Sequence, residues 1–200
     1  MEENSVTTPC EVLLIGGSAG SLSVLFELLP FFSPGMPIAV IVILHRKNAQ
    51  NSSLAELFSS KTKALVKEID DKDPIEAGHI YLGPADYHTL IERNLSFSLD
   101  DSEKINFSRP SLDVTFESAA TVYGSRLTAI ILSGANDDGT KGLEAIKDSG
   151  GTIIAQNPAS AQMPFMPQYA IEHIGIENIM TPQDMVKYIQ SIAGASATNA

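Results

Sequence analysis

Three loops carry the residues whose types suit acyl transfer. The first is Gly16-Gly17-Ser18-Ala19-Gly20-Ser21, which follows an apolar run and opens an amphipathic one. Its small residues permit a sharp turn and let another molecule approach the backbone. N–H groups at a helix start have no intrahelical partner and stabilise an anion. Gly16 to Gly20 fits the G-x-S-x-G turn that lifts a serine nucleophile into reach of substrate. A plain Gly/Ser turn or a phosphate loop is the blander reading. The dinucleotide fingerprint G-x-G-x-x-G cannot be drawn through these residues, and the second apolar run ends in His45 rather than in an acid.

His45 opens the second loop, directly after Leu44. A neutral imidazole there can take a serine proton near neutral pH. A satisfied structural histidine is the alternative, and on this residue alone it is the commoner case. The third loop is Ser133-Gly134-Ala135-Asn136-Asp137-Asp138-Gly139. A carboxylate in it could hold the histidine in its productive tautomer and stabilise the imidazolium. Helix capping by Asp137 or Asp138 is the ordinary alternative. A metal site would need a second cluster of ligands with recognisable spacing, and none is evident. Each signal is weak alone. Serine, histidine and aspartate leaving three strong strands fit one mechanism together.

The elements that must position these loops are legible from periodicity. Val12 to Ile15, Ile38 to Leu44 and Leu127 to Leu132 are continuous apolar runs, which read as buried parallel strands. Ala64 to Lys67, Thr152 to Ala155 and Ile176 to Met180 are shorter candidates. Leu22, Leu25, Phe26 and Leu29 have helical spacing up to Pro30. Further helices are expected over Leu54 to Phe58, after Ser111 as a cap, around Leu143 and Ile146, and from Thr181-Pro182 through Ile192. Residues 74–99 hold short apolar runs separated by turn residues and predict an antiparallel ribbon. The fold class expected is α/β: a single doubly wound, mostly parallel sheet with helices on both faces and a small antiparallel ribbon insertion. Sites in such sheets form at the C-terminal strand ends, where all three loops lie. Residues 11–193 are expected to form one domain, with disordered segments at 1–10 and 194–200.

Composition bounds the rest. The chain has 200 residues, 44% of them hydrophobic, enough for one substantial core. Its longest apolar run, Pro37 to Leu44, is far too short to span a membrane. The acidic N-terminus has no apolar segment behind it, so no secretory signal is read, and a cytoplasmic location is expected. Cys10 is the single cysteine, which excludes an intrachain disulfide. The net charge of −11 disfavours nucleic acid as a partner.

The ordered motifs resemble the catalytic domain of chemotaxis protein-glutamate methylesterases, the CheB family. The similarity runs through Gly16-Gly17-Ser18-Ala19-Gly20, His45, the Gly134 to Gly139 turn, Arg109-Pro110-Ser111-Leu112-Asp113-Val114 and Ile154-Ala155-Gln156-Asn157, and covers residues 11–190. Ala19 stands where the family often has Thr, Ser21 where it has a second Gly, Ala135 where it has Met, and Asp137 where it has Asn. The resemblance implies Ser18 as nucleophile, His45 as base and Asp138 as its support. It implies an oxyanion and substrate pocket at Ala19, Gly20 and Ala135, and neither cofactor nor metal. The implied substrate is a γ-glutamyl methyl ester on the cytoplasmic region of a methylated chemoreceptor, with glutamine deamidation open to the same chemistry. With ten residues before Glu11, the family's receiver domain is not expected here. Control is therefore expected to be absent or to come from a separate regulatory protein. Two other readings stay open. An α/β-hydrolase-type esterase would use His173 in place of His45. A non-catalytic signalling or binding module would use the glycine loop alone.

Overall fold

The computed structural model describes residues 11–46 and 53–194. The expected disordered segment 1–10 and residues 195–200 lie outside the described residues, while Gly194 still closes the last helix. In chain order the elements are β1 (Val12–Gly17), α1 (Ser21–Leu28), β2 (Ala39–Leu44), α2 (Ser53–Ser59), β3 (Leu65–Glu68) and β4 (His79–Leu82). Next come β5 (His88–Ile91), β6 (Phe97–Asp100), α3 (Leu112–Tyr123), β7 (Leu127–Ile131) and α4 (Thr140–Asp148). The chain ends with β8 (Thr152–Gln156), α5 (Phe165–Ile174), β9 (Ile179–Met180) and α6 (Pro182–Gly194).

Seven strands form one parallel sheet in the order β3-β4-β2-β1-β7-β8-β9. The central strands are apolar at almost every position because both faces are covered. Side-chain alternation divides the core in two. Val12 and Leu14 pack on one face with Leu112 and Phe116 of α3, Leu143 and Ile146 of α4, and Met166 of α5. Leu13 and Ile15 pack on the other with Val24 and Leu28 of α1, Phe58 of α2, and Met185 and Ile189 of α6. Phe116 is fully buried, so its truncation to alanine would cost about 3–5 kcal/mol. It also explains Gly16, where a Cβ would lie 2.7 Å from the Phe116 ring.

One expectation needs correction. Ile80-Tyr81-Leu82 is not part of an antiparallel ribbon. It belongs to β4, which sits between β2 and β3 and pairs with both in parallel. Among the described strands β5 and β6 are the antiparallel pair, with an isolated antiparallel bridge between Pro74 and Ser96, and Ile91 and Phe97 fasten that ribbon to the core. Short apolar runs carry no information about the direction of their partners.

Strand order sets the place of the site. The chain moves from β1 to β2 on one side and later starts β7 on the other. The sheet therefore has its switch point beside the end of β1, where open α/β folds leave a crevice. Gly17 pairs with Leu44, and Gly16 with Ile131, so the three strands end nearly level.

Candidate active site

The strand ends are tied together through backbone and buried polar links. The His45 N–H donates to the Gly17 carbonyl (3.1 Å), and the Ser18 N–H donates to the Ser133 carbonyl (2.8 Å). The Ser133 hydroxyl lies 2.8 Å from the Ala19 carbonyl, and its own N–H donates to the buried Gln156 side chain (3.0 Å). Sequence reasoning gave no role to Ser133 or Gln156, although Gln156 lies within a quoted motif. Together they link the loops after β1, β7 and β8.

His45 and Asp138 meet directly. His45 Nε2 lies 2.6 Å from Asp138 Oδ2, and Asp138 is fully buried. Ser111 Oγ donates to Asp138 Oδ1 (2.8 Å), and the Leu112 N–H donates to Oδ2 (2.7 Å). The carboxylate thus occupies the N-terminus of α3, where unpaired N–H groups and the helix dipole favour an anion. Burial pushes the Asp138 carboxyl up, but the hydrogen bonds from His45, Leu112 and Ser111 outweigh it and hold the group below its ordinary value. An ionised Asp138 can only accept, so Nε2 of His45 carries a proton, and in the neutral ring Nδ1 is then the nitrogen with the lone pair. In the serine-protease template the two ring nitrogens have the opposite roles.

Ser111 therefore differs from its expected role. It stands at the N-cap position of α3 with extended backbone, but its side chain makes no cap hydrogen bond. Asp138 caps that helix instead. The capping alternative considered for the third loop is thus correct in kind, but the helix capped is α3 and not α4, which Asp138 precedes in sequence. The α4 start is served by Asp113, whose Oδ1 accepts from the N–H groups of Gly139 and Gly142, both at 2.9 Å. Asp137, the other acid of the turn, is exposed.

Ser18 is half-buried at the end of β1, Ala19 is exposed, and Gly20 adopts φ +84°. A side chain at Gly20 would be strained by that φ and would strike Gln162. Ala135 is exposed in the loop after β7. Among the described residues, the Ser18 hydroxyl and the Ala19 and Ala135 N–H groups meet no hydrogen-bond partner, His45 included. Apo geometry at reacting groups is often open in this way and tightens around substrate. A cleft of about 490 Å³ opens beside His45, lined by Arg46, Asp86, Lys104, Phe107 and Arg109.

His173 does not join this cluster. It lies exposed in the last turn of α5, with Nδ1 2.9 Å from the Tyr169 carbonyl and its ring stacked on Tyr169 at 3.6 Å. Among the described residues no group of three or more His, Cys, Asp or Glu side chains could hold a metal ion. No described helix is long and apolar enough to cross a membrane.

Comparisons with known proteins agree with this architecture. The sequence pattern of the CheB methylesterase family matches residues 13–189. A Leptospira interrogans protein, provisionally called a protein-glutamate methylesterase/protein-glutamine glutaminase, is 35% identical over 86% of this chain and 89% of its own length. A Thermotoga maritima protein of that name is 33% identical over 84% of this chain, which spans 51% of that relative. The crystal structure of the Thermotoga maritima CheB methylesterase catalytic domain superposes with a TM-score of 0.86 at 30% identity, covering 92% of this chain and all of that one. By sequence pattern, by relatives along most of its length and by fold, the chain belongs to the CheB methylesterase family.

Proposed function

We propose that this protein hydrolyses γ-glutamyl methyl esters on the cytoplasmic region of chemoreceptors, through an acyl-enzyme on Ser18, as part of chemotaxis adaptation. The observation that carries the reading is the 2.6 Å contact of His45 with buried Asp138 at the strand end next to Ser18. Ser18 attacks the ester carbonyl while His45 Nδ1 accepts its proton. Asp138 keeps the other nitrogen protonated and stabilises the imidazolium. The free N–H groups of Ala19 and Ala135 receive the oxyanion, each donor worth about 3–4 kcal/mol in such sites. His45 then protonates the departing methoxide, which leaves as methanol. Water, deprotonated by His45, attacks the acyl-enzyme, and Ser18 recovers its proton as glutamate leaves. A glutamine side chain can enter the same sequence with ammonia as leaving group. The chemistry needs only side chains and backbone amides.

The exposed position of His173 and its engagement with Tyr169 weigh against the α/β-hydrolase alternative. The test is methanol release from methylated receptor fragments by the purified protein. Release that disappears in Ser18→Ala, together with labelling of Ser18 by a phosphonate, supports the reading. Absence of release from any γ-methyl ester favours the non-catalytic module instead.

A further inference from the structure

The scheme above uses Ser111 and Leu112 from the Arg109 to Val114 motif but leaves Asp113 without a task. Asp113 is a buried acid, only 5% exposed. We propose that Asp113 is a positioning residue: by clamping the amides of Gly139 and Gly142 it fixes the backbone that carries Asp138, and so keeps Asp138 aligned on His45. The importance of this alignment for turnover rests on the acyl-enzyme reading, while the alignment itself can be measured without any substrate.

The geometry is an exchange between two helices. Asp138 precedes α4, yet its oxygens receive the Leu112 N–H and the Ser111 hydroxyl at the start of α3. Asp113 lies in the first turn of α3, yet its Oδ1 receives two amides at the start of α4. Gly139 is bonded covalently to Asp138, so holding its N–H within 2.9 Å leaves the Asp138 backbone little freedom. Were Asp138 to cap its own helix, its carboxylate would be drawn away from His45. The exchange frees Asp138 for His45 while both helix starts remain satisfied.

Two like charges act on Asp113: buried Asp138 and, more weakly, exposed Glu117. Asn106 donates to its Oδ2 (3.2 Å). Glu117 on the same helix, Asp137 in the loop, and Lys141 and Glu144 on α4 are all exposed. His88 from β5 has both ring nitrogens engaged: Nδ1 accepts from the Ser111 N–H, and Nε2 donates to the Glu103 carbonyl. The remaining buried charge is that of Asp138, with His45 behind it. Burial pushes the Asp113 carboxyl up to about 6, the Asp138 charge adds to this, and the Gly142 and Gly139 amides oppose it. Asp113 thus gains a proton in a range where Asp138 keeps its charge. A neutral carboxyl holds the two amides less firmly than a carboxylate does, so alignment loosens below that midpoint.

The test combines NMR with kinetics. The low-field resonance of the His45 Nε2 proton should shift with a midpoint near pH 6 in the wild type. That step should vanish in Asp113→Asn, and its persistence there would overturn its assignment to Asp113. Asn106→Ala removes a donor to the ionised form and should move the step to higher pH. At pH 8, Asp113→Asn should lower kcat by about 10- to 100-fold, the scale of a small misplacement, with KM nearly unchanged. A purely structural role would lower kcat only in proportion to the folded fraction seen by circular dichroism, and would leave the His45 resonance step in place, which would overturn the proposal. Wild-type kcat and pH profile in Asp113→Asn would overturn the proposal. If that variant does not fold, an unmoved step in Asn106→Ala overturns it. A resonance step that behaves as expected, in a protein that releases no methanol, would overturn the reaction and leave the positioning role standing.

Discussion

The two halves of the site are built on opposite plans. On the Asp138 side the carboxylate is fully buried and receives His45, the Ser111 hydroxyl and the Leu112 amide. On the Ser18 side the loop is half-buried to exposed, and among the described residues its hydroxyl and the Ala19 amide have no partner. A permanent charge taken out of water is tolerable only when it is saturated with donors. A nucleophile and the donors for a transient oxyanion must be vacant until substrate arrives. The contrast separates groups that hold charge throughout from groups that acquire it only in the transition state.

The sharpest way to break this contrast is Ser18→Ala. It should leave the fold intact and lower methanol release by about a million-fold, as loss of a triad serine does elsewhere. Retention of phosphonate labelling in that variant would remove Ser18 from its role. Asp138→Asn comes next. The new NH2 group avoids the Asp113 N–H by turning toward His45 and the Leu112 N–H, or avoids those by turning toward Ser111 and Asp113; the first orientation sets the tautomer. The imidazole is then driven toward the other tautomer, and kcat should fall by about 10⁴-fold. Thermal denaturation should also show a lower midpoint, because the α3 N-terminus loses its anion.

Ser111→Ala removes one donor of Asp138 and leaves the others in place. A hydrogen bond to a charged group is worth about 1.5–3 kcal/mol. Chemical denaturation should register a loss of that order, and kcat should fall by about 10-fold as alignment loosens. The smallest effect belongs to His173→Ala. An exposed substitution of this kind changes stability by less than about 0.5 kcal/mol, and turnover should stay within two-fold of wild type. A collapse of activity there would revive the α/β-hydrolase reading and dissolve the contrast between the halves.

The sequence made the three loops legible because each follows a strongly apolar strand, and burial on both faces leaves a clear signature in composition. β4 was misread for the opposite reason. Its four residues, His79 to Leu82, lie among turn residues, and nothing local says that the partner strands run parallel. The task of Ser111 was hidden by distance. Its oxygen partner, Asp138, lies 27 residues away, while a serine before an apolar helix has an obvious local reading as a cap. Asp113 was hidden in the same way. The choice of His45 nitrogen also escapes sequence, since it depends on the ring's orientation between two loops.

The exchange of carboxylates between α3 and α4 also bears on how the molecule comes apart. Neither helix start is complete until the other has docked, so the first turns of α3 and α4 should open as one cooperative unit while β7 stays paired in the sheet. Amide hydrogens of Leu112, Gly139 and Gly142 should then exchange with solvent deuterium at a common rate. Activity should vanish with that opening, even while α1 and α6 on the far face of the sheet remain protected.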